Sequence, residues 1–79
     1  MRIDKYLKVS RIIKRRTVAQ EACDQGKVSV NGKVVKPGAD VKIGDVIEVV
    51  FGERVLKAEI LSVAEHVLKG DAKEMYKPL

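Results

Sequence analysis

The chain has one cysteine, one histidine and no tryptophan, and each scarcity removes a class of chemistry. With Cys23 alone no disulfide can close within the chain, and with His66 as the only imidazole no Cys/His zinc cluster can assemble. Cys23 sits beside alanines in a helical stretch, where a thiol serves as a small buried hydrophobe. Left unpaired, it fits a reducing cytosol. The aromatics are Tyr6, Phe51 and Tyr76, too few and too dispersed for a platform on which single-stranded bases stack. No apolar run approaches the roughly 20 residues of a membrane span, and the N-terminus lacks the apolar core of a secretory leader. A cytoplasmic protein with no membrane partner is expected. A nucleophile–base pair would have to combine Cys23 or a serine with His66, which lies in a polar C-terminal stretch without an orienting motif. P-loop, GxGxxG and metal-spaced carboxylate patterns are missing. No catalytic residue, cofactor or metal site is therefore expected, and the chain reads as a binding protein rather than an enzyme.

Positive charge is present and very unevenly placed. Residues 1–16 carry Arg2, Lys5, Lys8, Arg11, Lys14, Arg15 and Arg16 against Asp4 alone, a local net charge of +6, whereas the remaining 63 residues come to −1. An even spread would speak only to solubility, but a concentrated block creates a local field that can hold a polyanion. Nucleic acid repeats its phosphates along the strand and asks for several cations on one surface. Four of these seven cations are arginines, whose planar fork pairs bidentately with phosphate or stacks on an exposed base.

At 79 residues the chain makes one small domain, of a size that buries roughly 60% of its unfolded surface. The first 26 residues read as two helices. Ile3, Tyr6, Leu7, Val9 and Ile13 recur at spacings of three and four and mark the packed side of the first. Asp4 lies in its first turn, where a carboxylate complements the helix dipole. Lys8, Arg11 and Arg15 follow i, i+3, i+7 on another side, and Lys14-Arg15-Arg16 makes the turn. Thr17 and Gln20 match a capping box at the start of the second helix. Val18, Ala19, Ala22 and Cys23 give it a small-residue face for packing on the first, and Gly26 ends it in a left-handed conformation. From Lys27 the period becomes strand-like. Val28 and Val30 lead to Asn31-Gly32, the dipeptide of tight type I′ hairpins, and Val34-Val35 return. Pro37-Gly38 and Gly44-Asp45 mark loops, Val46 to Phe51 a buried strand, Gly52-Glu53 a turn and Arg54 to Val63 a last strand. Ala72, Met75 and Tyr76 suit one helical turn before Pro78. The expected class is α+β: two N-terminal helices packed on a small, mostly antiparallel sheet, with a short C-terminal helix. Two short helices also admit a DNA-reading helix-turn-helix, but the second carries Glu21 and Asp24 and no basic residue between Thr17 and Gln25, which makes it a poor groove reader.

The order of these features resembles the S-four RNA-binding domain, through Arg2-Ile3-Asp4-Lys5-Tyr6-Leu7, Arg16-Thr17-Val18-Ala19, Gly26-Lys27-Val28, Val30-Asn31-Gly32, Val41 and Gly44-Asp45. The match covers about residues 1–50, and the division it implies is an S-four-like RNA-binding domain over 1–63 with a C-terminal extension over 64–79. Residues 2–17 are further similar to the small ribosome quality-control factors of the RqcP family and, more distantly, to the heat-shock ribosome-associated proteins. The resemblance implies a helix pair on a curved sheet that recognises RNA shape. It also implies partners: large-subunit rRNA, peptidyl-tRNA on obstructed large subunits, and a tRNA-recruiting quality-control factor with which the stalled chain receives an alanine tail. A monomer is expected off the ribosome. Carried over residue by residue, Arg2, Arg11, Lys14, Arg15 and Arg16 are the expected RNA contacts, with Lys5 and Lys8 secondary. Arg11 and Arg16 are expected to point to solvent, and Asp4 to hold arginine side chains in place. Lys33 and Lys36 flank the hairpin and read more simply as strand-edge lysines. A general structured-RNA chaperone and a heat-shock ribosome-recycling factor are the competing functions.

Overall fold

The structure is a computed structural model that describes residues 1–79, with side chains described for all of these except Lys69. Two helices, α1 (Ile3–Val9) and α2 (Arg16–Asp24), precede four strands, β1 (Val28–Val30), β2 (Lys33–Val34), β3 (Val46–Phe51) and β4 (Arg54–Ile60). A 3₁₀ helix (Lys69–Met75) then leads into β5 (Tyr76–Pro78). The strands form one antiparallel sheet in the order β2-β1-β3-β4-β5. Both helices pack on one face of it: Ile3, Tyr6, Leu7, Ala19 and Cys23 meet Val28, Ile47, Val49, Ala58 and Ile60 in a single core. The expected α+β architecture is observed.

Helix α1 is shorter than its apolar spacing implies. Ser10 caps it and Arg11 adopts a left-handed conformation (φ 61°), with the Arg11 N–H on the Lys8 carbonyl and the Ile13 N–H on the Leu7 carbonyl. Ile13 still reaches the core, but from the turn. Lys8, Arg11 and Arg15 therefore do not share one helical side. At the other end of α1, no side chain caps the helix; the Ile3 and Asp4 N–H groups donate to the carbonyls of Ala39 (2.7 Å) and Pro37 (3.3 Å), and the Lys5 N–H to Asp4 Oδ1 (2.7 Å). Three N–H groups that a helix start leaves unpaired are thereby satisfied.

Helix α2 starts one residue before the expected cap. Arg15 is the N-cap, with no side-chain hydrogen bond, and Thr17 lies inside the helix. Gln20 does not reach back to a cap; its Nε2 donates to Asp4 Oδ2 at 3.0 Å, since a buried carboxylate competes for donors more strongly than a solvated helix end. Val18 is exposed rather than packed, while Ala19 and Cys23 are buried. The end is as expected: Gly26 has φ 75°, the Gly26 N–H bonds the Cys23 carbonyl and the Lys27 N–H the Ala22 carbonyl, both bonds of a Schellman motif.

The hairpin turns follow their local chemistry. Asn31 and Gly32 both have positive φ, as a type I′ turn requires, and the Asn31 side chain also ties this turn to the next strand, donating to buried Asp45 (3.1 Å) and accepting from the Val46 N–H (3.0 Å). In β3 only Ile47 and Val49 are fully buried, so the strand is covered on one face rather than two. Strand β4 stops at Ile60, not Val63. The expected helical turn near Ala72 and Met75 exists as the 3₁₀ helix, but Tyr76 opens β5, which pairs Ile60↔Tyr76 and Ala58↔Pro78. Short-range pattern carries no signal for a three-residue strand whose only partner lies sixteen or more residues earlier.

Candidate nucleic-acid interface

Asp4 organises the N-terminal cations. Its carboxylate is fully buried, and four groups surround it. Arg2 approaches as a fork, Nε to Oδ1 and Nη2 to Oδ2, both at 3.2 Å. Arg16 Nε lies 3.3 Å from Oδ2 and its Nη2 3.5 Å from Oδ1. Gln20 and the Lys5 N–H complete the set. Burial alone would raise the Asp4 pKa; the hydrogen bonds from Gln20, Arg16, the Lys5 N–H and Arg2 outweigh it, and the net shift is downward. The carboxylate is thus ionised at neutral pH and fixes two guanidinium groups on one anchor. Two cations on one anion leave a net charge of +1. The side chains of Arg2 and Arg16 remain 51% and 44% exposed, so each keeps donors for an outside phosphate. Arg16 is therefore not a purely solvent-pointing residue, and its removal perturbs the anchor as well as the surface.

The second group forms where α1 ends. Lys8 lies one turn beyond Asp4 along α1, about 6 Å at 1.5 Å per residue. The left-handed Arg11 swings the chain back so that Lys8, Arg11 and Lys14 line one open cavity with Val9 and residues 65–68. Lys8, Arg11, Lys14 and Arg15 are exposed, and none has an ion-pair partner among the described residues. Lys5 does: its Nζ is 3.5 Å from Glu65 Oε1. Of the seven expected cations, four are unpaired, two share Asp4 and one is matched within the chain. Lys33 and Lys36 are exposed, Lys33 on the edge strand β2, and no ion pair to either occurs among the described residues.

Gln20, Glu65 and residues 66–68 belong to this surface although no motif assigned them to it. Gln20 carried a signal, but a capping pattern absorbed it. Residues 65–68 reach α1 only through the tertiary fold.

Other reactive groups sit elsewhere. Cys23 is buried and its thiol is pushed up to about 11, by burial first and then by the charges of Asp4 and Asp24. It stays protonated at neutral pH, and a protonated thiol is a poor nucleophile. Among the described residues, no group of three or more His, Cys, Asp or Glu is placed to hold a metal ion. No helix is long and apolar enough to cross a membrane.

Comparison with known proteins shows the family. The family model of the S4 domain matches residues 1–47, the span holding both cation groups and the hairpin. The RQC P-site tRNA stabilizing factor of Halalkalibacterium halodurans is 51% identical over 76 residues, covering 96% of this chain and 86% of that one. The protein of the same name in Bacillus subtilis is 46% identical, covering 96% and 88%. A heat shock protein 15 homolog of Aeromonas salmonicida is 37% identical over 82% of this chain but 49% of its own length. Among solved structures, a trimeric structure of heat shock protein 15 from Vibrio cholerae superposes with a TM-score of 0.92 at 29% identity, over 100% of this chain and 81% of that one. By a match over more than half its length and relatives this similar over nearly all of it, the chain belongs to the S4-domain family, and within it to the RQC P-site tRNA stabilizing factors.

Proposed function

We propose that this chain is a non-enzymatic, cytoplasmic RNA-binding protein of ribosome-associated quality control. It binds large-subunit rRNA and peptidyl-tRNA on obstructed large ribosomal subunits and stabilises the tRNA in the P site. With a tRNA-recruiting quality-control factor it supports alanine tailing of the stalled nascent chain. Off the ribosome it is a monomer.

The observation that carries this reading is the state of the N-terminal cations. Lys8, Arg11, Lys14 and Arg15 are exposed without carboxylate partners among the described residues, and Arg2 and Arg16 are held on Asp4 with half of each side chain still outside. Such a surface meets phosphates along folded RNA, with position set by shape rather than by base edges. The relatives named for P-site tRNA stabilization support the choice of that RNA. Arg2, Arg11, Lys14, Arg15 and Arg16 are the primary contacts and Lys8 joins them. Lys5 is demoted by its pairing with Glu65.

Gradient sedimentation of a lysate under translational stress tests the proposal: the protein is expected in the large-subunit fraction together with peptidyl-tRNA. Recovery only at the top of the gradient would defeat it. The superposition on heat shock protein 15 favours a second reading, recycling of obstructed subunits without tailing. Deleting the gene separates the two, because only the first predicts loss of alanine tails from stalled chains.

A further inference from the structure

The cavity at the end of α1 has a composition that a phosphate-neutralising face does not need. Lys8, Arg11 and Lys14 line it together with Glu65 and His66, and Val9, Val67 and Leu68 supply apolar surface, around a volume of about 290 Å³. A duplex backbone would use the cations alone. Cations beside an imidazole and three aliphatic side chains match the two halves of one nucleotide: the phosphate meets the ammonium and guanidinium groups, and the base lies against the ring and the apolar wall. We infer that this cavity takes a single unstacked nucleotide of the bound RNA, so that residues 65–68 form part of the recognition surface. The inference rests on the RNA-binding reading above and adds where an unpaired base goes.

Three features favour this placement. Arg11 holds a left-handed conformation that is uncommon for a residue with a side chain, and that conformation directs the chain around the cavity. The Lys5–Glu65 ion pair links the 65–68 segment to α1 and engages the Glu65 carboxylate. Leu68 is 77% exposed, a large apolar side chain unsatisfied by the fold itself. A neighbouring cavity shares His66, Val67 and Leu68 but has Asp71 and Glu74 in place of the three cations, so a phosphate is accepted only beside Lys8, Arg11 and Lys14.

Two synthetic RNA hairpins with the same stem, one carrying a single bulged nucleotide, provide the test by fluorescence anisotropy with the full chain. The bulged hairpin is expected to bind roughly tenfold tighter, within the range one stacked base contributes. In a His66→Ala, Leu68→Ser variant the ratio should fall to about twofold or less, with circular dichroism reporting that the fold persists. Glu74→Gln, in the acidic cavity, should keep the full preference. Equal binding of both hairpins by the unaltered chain, or a preference that survives the double substitution, would overturn the inference while leaving RNA binding intact. Failure to bind either hairpin would overturn both readings.

Discussion

Asp4 is an acid placed where the proposed phosphate-binding surface should least tolerate one, and burial explains why it is tolerated. A carboxylate on the surface would repel the ligand. Inside, with Gln20, the Lys5 N–H and two arginines on it, it acts instead as a socket that restricts the guanidinium groups before any RNA arrives. Asp4→Asn should therefore lower stability at neutral pH by about 1–2 kcal/mol, the scale of charge-assisted hydrogen bonds lost from a buried site. It should also weaken RNA binding by freeing Arg2 and Arg16, although it makes the protein more positive. A simple charge model predicts tighter binding, so an anisotropy titration separates the two. The pH dependence has a definite sign. Because the folded-state pKa lies below the ordinary carboxylate value, the stabilisation is present in full above about pH 4 to 5 and drains away as pH falls through the folded pKa. Denaturant melts between pH 6 and pH 3 should show a shallower loss of stability in the Asn variant than in the parent. The sequence permitted the expectation that Asp4 holds arginines. It could not show Gln20 among the donors, because a Thr–x–x–Gln spacing satisfies a capping template equally well.

Helix ends decide how the cations are displayed. Had α1 run on to Ile13, as apolar spacing alone implies, Lys8 and Arg11 would lie along a straight rod; the left-handed Arg11 turns them into the lip of a cavity. A residue with a side chain at φ 61° carries strain of about 1 kcal/mol, which glycine would relieve at a similar cost in unfolded-chain entropy. Arg11→Gly should thus shift Tm by less than about 4 °C while weakening RNA binding, a pattern that places the residue in recognition rather than in folding. Gly26 provides the opposite case. A Cβ there would meet only Val34 Cγ1 at 3.9 Å, ordinary contact, so space is not the constraint. Its φ of 75° is, and Gly26→Ala should cost about 1–2 kcal/mol, read as a lowered denaturation midpoint with unchanged slope. These positions also mark what local pattern can reveal. Asn31-Gly32, Gly52-Glu53 and Gly26 announce their turns because the backbone angle there is fixed by the residue type itself. Arg11 gives no such notice, and β5 exists only because Ala58 and Ile60 need a neighbour that the chain supplies much later.

Charge at the scale of the whole molecule is separated between the N-terminal sixteen residues and everything else, and the fold preserves that separation only in part. It brings Glu65 to Lys5 and pairs Glu48 with Lys57, yet leaves Lys8, Arg11, Lys14 and Arg15 to solvent. The sequence made the asymmetry legible but not which cations would be neutralised internally, because Glu65 lies sixty residues from Lys5 along the chain. The unmatched set fixes how binding should respond to salt. Four unpaired cations plus the residual charge of the Arg2–Asp4–Arg16 cluster amount to about five phosphate contacts, so log affinity should fall with log salt at a slope of roughly −3 to −5. Lys8→Ala combined with Lys14→Ala removes two of them and should flatten the slope by about 1.5 to 2, with little change in stability because both side chains are exposed. Lys57→Ala, on the sheet beside Glu48, should leave the slope as it was. Titrations of one RNA stem-loop at three or more salt concentrations measure all of these together. A slope that responds to Lys57 and not to Lys8 and Lys14 would move the interface from the helical face to the sheet.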